Sequence, residues 1–201
     1  MFLAARGYAA SNDPRVAVAN QVALILAWNT PFYPLYLLGS GGAALWPAAW
    51  WTLCSFPCFL AVPALTRRDP FWGRVALALT GLGNTLFCTW LLGEAAGTAL
   101  FLLPCITLAA LLFRREERVA LFSLMALPIL AGVLLNGRYP VSPFALTDSA
   151  RVAVLWLNAV SVAVLMAVLG FFSTGLAGEV ALVMPVSASV PPPRPSARRS
   201  P

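Results

Sequence analysis

Apolar residues in this chain come in long unbroken blocks, neither alternating as in strands nor striped as in amphipathic helices. Six windows carry no charged residue: 16–38, 43–65, 75–92, 95–113, 119–135 and 152–172. About 20 apolar residues in helical form cross the roughly 30 Å of bilayer hydrocarbon. The windows therefore predict an all-α, polytopic integral membrane bundle of six transmembrane helices. The third and fifth windows are short, so they extend to 72–92 and 119–136, with Arg74 snorkelling back to the interface. Residues 1–15 form an amino-terminal segment. Residues 173–201 form a helix extension, in which Leu176, Val180 and Val183 keep helical spacing, followed from Pro185 by a disordered Pro/Arg-rich tail.

The gaps between windows orient the bundle. Arginines collect in every second gap: Arg6 and Arg15, then Arg67, Arg68 and Arg74, then Arg114, Arg115 and Arg118, then Arg194, Arg198 and Arg199. Only Arg138 and Arg151 fall in the alternate gaps. Short cytoplasmic flanks gather basic residues whereas translocated loops do not, so both termini are expected in the cytoplasm. Trp46, Trp50, Trp90, Tyr139 and Trp156 then fall at outer ends and Trp72 at an inner end, as an interfacial aromatic belt requires. The 136–151 connection, with Pro140 and Pro143, is long enough to form a small outer cap.

Composition narrows the function. With 60% hydrophobic and 10% charged residues, the chain lacks the polar surface of a soluble domain. The net charge of +6 sits at span ends, which suits anionic lipid headgroups and not nucleic acid. The amino terminus carries no recognisable cleavage site, so the first span is expected to stay. Zero histidines exclude His-ligated haem, His-dependent zinc and Ser-His-Asp hydrolysis. No phosphate loop or nucleophile elbow replaces them, so no enzymatic activity, metal or cofactor is expected. Cys54 and Cys58 share a helical face if the helix is continuous, and could form a thiolate pair; buried thiols are ordinarily inert.

Prolines 31, 34, 47, 57, 63, 104 and 128 lie within the windows, and each removes a backbone donor. These helices should be kinked and closely packed, with small residues such as Ala19 and Ala23, Gly81 and Gly83, and Gly93 and Gly97 at the contacts. Polar groups inside lipid are costly, so the intramembrane amides stand out: Asn20, Gln21 and Asn29 in the first window, Asn84 in the third and Asn158 in the sixth. They serve either as interhelical hydrogen bonds or as a ligand pocket; the candidates for that pocket are Asn29, Asn84, Asn158 and Gln21. Glu94, in the turn after the third window, is either a solvated turn residue or an outer-face carboxylate able to take a proton or cation. Arg67, Arg68, Arg74, Arg114, Arg115 and Arg118 are read as topology anchors and lipid contacts. In the Arg114–Arg115–Glu116–Glu117–Arg118 run, intrahelical ion pairs would form if it were helical.

Gly93-Glu94-x-x-Gly97 followed by an apolar helix, the Phe113-to-Arg118 hinge followed by Leu121 and Phe122, and Leu157-Asn158 running to Phe171-Phe172 together resemble a known module. It is the six-helix membrane module that precedes the output domain in bacterial class III adenylate cyclases and related sensors. The resemblance covers roughly residues 15–180. It implies a sensor or anchor whose sixth helix continues into a cytoplasmic coiled coil; here Pro185 and the Pro-rich tail stand in that place, so signalling would pass to a cytoplasmic protein partner or be lost in a relic. The expected location is the bacterial inner membrane, with homodimerisation through small-residue faces open. The alternative is a small substrate-binding subunit of an uptake transporter, since the Ala19-x-x-x-Ala23 pattern and six spans are similar to vitamin-capture components.

Overall fold

A computed structural model describes residues 7–144 and 146–183; Arg6, Pro185 and the Pro/Arg-rich tail lie outside them. Within these residues the chain is all-α. The helices are α1 (Pro14–Asn29), α2 (Phe32–Gly41), α3 (Trp46–Trp51), α4 (Phe56–Arg68), α5 (Pro70–Leu92), α6 (Leu102–Leu112), α7 (Arg118–Leu135) and α8 (Asp148–Val183).

Two helices at the arginine-rich end start by one device. Asp13 and Asp69 each precede a proline at the first helical turn, where the missing N–H costs nothing. Asp13 Oδ1 accepts from Arg15 N at 2.9 Å, and Asp69 Oδ1 accepts from Phe71 N and Trp72 N at 2.9 and 3.1 Å. The extended Asp69 backbone also separates α4 from α5, so a single residue makes the hairpin between them.

Proline position explains the interruptions. The first window is not one helix: Pro31 cannot continue the α-helical ladder, and α1 gives way to α2 across Thr30–Pro31. The second window is a series, a 3₁₀ turn at Gly42–Leu45, α3, a second 3₁₀ turn at Thr52–Ser55, and α4, with Pro47 and Pro57 in the first turns of the two α segments. Cys54 and Cys58 therefore do not lie on one continuous helix. Pro63 and Pro128 are accommodated inside α4 and α7.

Taken through such breaks, five segments among the described residues are long and apolar enough to cross a bilayer: Pro14–Ser40, Trp46–Arg68, Pro70–Leu92, Arg118–Leu135 and Asp148–Leu176. The fourth window, 95–113, is different. Its apolar helix covers only Thr98–Leu112, about 22 Å at 1.5 Å per residue. It is also central: Leu108, Ala109 and Leu112 are buried, and the helix packs against α1, α5, α7 and α8, so neighbouring helices, not lipid, surround much of it.

The main core joins Val22 and Ala23 of α1, Phe59 and Val62 of α4, Leu77 of α5, Leu112 of α6 and Leu169 of α8. Ala19 and Ala23 have no exposed surface. Their close-packing face is used within the chain, which removes it as a homodimer contact. At the far end a second cluster holds Leu37, Ala48, Leu91, Ala96 and Val154. The 136–147 connection folds over it as a cap, with Phe144 and Leu146 packed on the cluster and Ser142 Oγ donating to Leu91 O at 2.7 Å. By contrast, Phe122, Leu130 and Val133 of α7 and Trp156, Val160, Val164 and Phe171 of α8 point outward. Exposed apolar rows of this extent are covered by hydrocarbon in a membrane protein.

Candidate functional site

A cavity of about 120 Å³ lies between the two cores, where every crossing segment but α7 contributes to the wall. Asn29 and Thr30 come from the end of α1, Tyr33 from the start of α2, Thr52 and Ser55 from the 3₁₀ turn, Asn84, Thr85 and Cys88 from α5, Cys105 from α6 and Asn158 from α8. The helix interruptions thus do structural work here, because they turn Tyr33 and Ser55 into the same space. No charged side chain lines it.

Most of the wall's polar groups are already satisfied. Thr30, Thr52 and Thr85 donate to carbonyls three or four residues back, Leu26 O at 2.7 Å, Ala49 O at 2.7 Å and Gly81 O at 2.9 Å. Thr98 donates to Thr89 Oγ1 at 3.0 Å, and Cys88 Sγ contacts Asn84 Oδ1 at 3.7 Å. Asn158 has no exposed surface and donates through Nδ2 to Ala96 O at 2.8 Å. Three atoms have no partner: Tyr33 Oη, Ser55 Oγ and Asn158 Oδ1. Buried polar atoms without partners are uncommon and cost roughly 1–3 kcal/mol each.

Of the four amides expected to form a pocket, three do line this cavity: Asn29, Asn84 and Asn158. Asn29 is largely exposed and Asn84 half-buried. Gln21 does not join them. It lies two turns away along α1, on a separate groove with Pro14, Phe171, Phe172 and Leu176. Asn20 is a structural hub, accepting from Thr66 Oγ1 at 2.8 Å and donating to Ala9 O at 3.2 Å.

Glu94 is half-buried in its turn and does more than face solvent. Its Oε1 accepts from Gly137 N at 2.7 Å, so the carboxylate binds the turn after α5 to the end of α7. Gly93 and Gly97, with φ of +84° and +75°, bracket this turn. A Cβ on Gly97 would meet the tip of the Leu155 side chain of α8, which would have to shift, and the positive φ itself favours glycine there.

At the opposite end, arginines converge on the carbonyl terminus of α6, where helix C-terminal oxygens lack intrahelical partners. Arg15 of α1 donates to Leu111 O and Phe113 O at 2.8 and 3.0 Å, and Arg74 of α5 donates to Leu112 O at 2.7 Å. Arg74 also pairs with both oxygens of Glu117, at 2.8 and 2.6 Å, and lies 5.1 Å from the Phe113 ring centroid. Its side chain is only 5% exposed, so it does not reach a lipid headgroup as expected. A guanidinium that deep requires a carboxylate and full hydrogen bonding; Glu117 provides the first, and Pro70 O at 3.0 Å joins it and Leu112 O in providing the second. Residues 114–117 accordingly form a turn, with Arg114 N donating to Glu117 Oε2 at 2.8 Å and Arg114 pairing with Asp13 at 2.8 Å; the expected intrahelical pairs do not form. Arg67 stacks on Tyr8 at 4.7 Å, while Arg68, Arg115 and Arg118 are exposed.

The sequence profile of a family of membrane-associated sensory domains, MASE7, matches residues 5–184. The chain belongs to the MASE7 family. The matched stretch takes in the whole helical bundle, so this MASE7 domain is a multi-pass membrane protein. Neither the curated proteins nor the solved structures contain a match to it. Among its described residues no cluster of three or more His, Cys, Asp or Glu could hold a metal ion; the cavity of this MASE7 domain offers hydroxyls, amides and thiols. Tyr33 and Ser55 were not singled out from sequence, because each reads as an ordinary member of an apolar window. Their signal was position: each stands two residues from a proline break, Tyr33 after Pro31 and Ser55 before Pro57.

Proposed function

We propose that this chain is a non-enzymatic sensory module that crosses the membrane six times with both ends in the cytoplasm and passes its state to a cytoplasmic signalling partner through α8. One observation carries the reading: α8 bears Asn158 on the cavity wall and continues unbroken to Val183. Its 36 residues amount to about 54 Å, well beyond the roughly 30 Å of hydrocarbon. The cavity and the cytoplasmic end of α8 are thus parts of one rigid element. The family match supports a sensory role; the narrower likeness to the membrane module of class III adenylate cyclases, and a bacterial inner-membrane location, belong to this proposal.

The alternation of arginines supports the orientation, and the inner end is the one where Arg15, Arg74 and Arg114 converge. Reporter fusions within 67–74 and 114–118 should report a cytoplasmic location, and fusions at 94–97 and 140–147 an external one. A partner should co-purify with the full chain in mild detergent and be lost when residues 173–201 are deleted. Retention of every co-purifying protein by the truncated chain would defeat the reading.

A further inference from the structure

The cavity excludes charge and yet is unfinished in its hydrogen bonding, and together these properties specify a guest. Tyr33 Oη, Ser55 Oγ and Asn158 Oδ1 are the only buried side-chain polar atoms without a partner among the described residues, and all three belong to this one wall. The threonine hydroxyls around them are closed off by hydrogen bonds, Asn158 Nδ2 is held by Ala96 O at 2.8 Å, and the Asn29 and Asn84 amides are less buried. What is left buried and unpaired is two hydroxyls that can donate or accept and one amide oxygen that can only accept. An apolar guest would leave the Ser55 hydroxyl unpaired and give Tyr33 and Asn158, which lie close together, only each other. An ion would be desolvated with no countercharge in reach.

Size sets the second limit. At about 120 Å³, the space is somewhat smaller than an engineered apolar cavity of about 150 Å³ that takes up benzene. It suits a single-ring molecule of about six to eight non-hydrogen atoms.

We infer that the cavity binds a small, uncharged, largely apolar molecule bearing one hydroxyl group, which donates to Asn158 Oδ1 and accepts from the Tyr33 or Ser55 hydroxyl. Phenols and short-chain alcohols share this chemistry. The inference deepens the sensory reading by naming the class of stimulus, and it rests on that reading only for its consequence in signalling. Binding itself stands on the geometry. Because Asn158 holds the guest with one end of its amide and the Gly93–Gly97 turn with the other, occupancy is felt directly by α8.

The test uses the full chain in lipid nanodiscs with 4-fluorophenol as probe, followed by fluorine NMR. Saturable binding at one site per chain is expected, with 1,4-difluorobenzene and 4-fluorobenzoate binding at least about fivefold more weakly, since loss of one hydrogen bond of about 1 kcal/mol has that effect. Tyr33→Phe and Ser55→Ala remove single oxygens that no other residue uses, so folding is preserved and is checked by circular dichroism. Each should weaken 4-fluorophenol binding by about three- to tenfold. Uptake that never saturates, or equal affinity in wild type and both variants, would overturn the inference. The measurement involves no partner, so its failure leaves the tail-dependent partner result intact, and loss of that result leaves the binding site intact.

Discussion

Arg74 and Glu117 lie 43 positions apart in the sequence and meet in a two-pronged ion pair at 2.8 and 2.6 Å, with the guanidinium reaching on to Leu112 O at 2.7 Å. The pair fastens α5, the end of α6 and the start of α7 at one point. Removing one partner from such a buried pair typically costs about 3–5 kcal/mol. Because Glu117 keeps 22% side-chain exposure, Glu117→Ala should fall at or below the low end of that range, and Arg74→Lys should fail to restore the fork. Chemical unfolding in detergent micelles measures both. A double-mutant cycle with Arg74→Met should give a coupling of about 1–3 kcal/mol, and additive losses would contradict the pairing.

The same contact gives a pH signature. Hydrogen bonding to Arg74, opposed by partial burial and aided by the Arg114 backbone N–H, holds the Glu117 carboxyl below the usual carboxylate range. A depressed native value means that its stabilisation is present above the unfolded value of about 4.3 and disappears as pH falls through the lower native value. The stability difference between wild type and Glu117→Gln should therefore be constant above about pH 5 and shrink below about pH 4. Thermal unfolding across that range checks it; a difference that grows on acidification would reverse the sign.

Two glycine replacements should act in opposite directions. Gly97 combines a φ of +75° with a Cβ position that meets the tip of the Leu155 side chain, so Gly97→Ala should destabilise by about 1–3 kcal/mol. Gly83 sits within α5 with nothing near its Cβ position, and Gly83→Ala should stabilise by up to about 1 kcal/mol. Melting temperatures of the two purified variants separate these outcomes.

The asparagines of the cavity should also rank. Asn158→Ala strips a buried bond from Ala96 O and should cost about 1–3 kcal/mol. Asn29→Ala, at an exposed position, should stay within about 0.5 kcal/mol. Equal losses at the two positions would mean that Asn158 does not join α8 to the turn.

Much of the helix inventory was legible because the apolar windows are long and uncharged, and the prolines announced where they would bend. The length of the fourth helix was not. An uncharged run such as 95–113 reads the same whether lipid or other helices surround it, and here the left-handed Gly97 and a 3₁₀ turn consume its beginning. Arg74 was misread for a related reason: a basic residue three positions inside a window looks like a snorkelling end group unless its distant carboxylate is known. Asn29, Asn84 and Asn158, at similar depth in their windows, line one space. Gln21 lines another, because it lies two turns along α1 from Asn29 and about 80° around it. Tyr33 and Ser55 escaped notice because their role arises from breaks in two helices that bring hydroxyls around a space no single helix defines.

The α8 helix, which carries Asn158 on the cavity wall, has no proline anywhere in Asp148–Val183. From Asn158 to Val183 is about 38 Å at 1.5 Å per residue, so a tilt of about 5° pivoting at the asparagine would sweep the far tip through about 3 Å. A displacement too small to disturb packing beside the guest thus becomes one as large as a side chain where a neighbour would read it, much as a gauge needle magnifies the motion at its spindle.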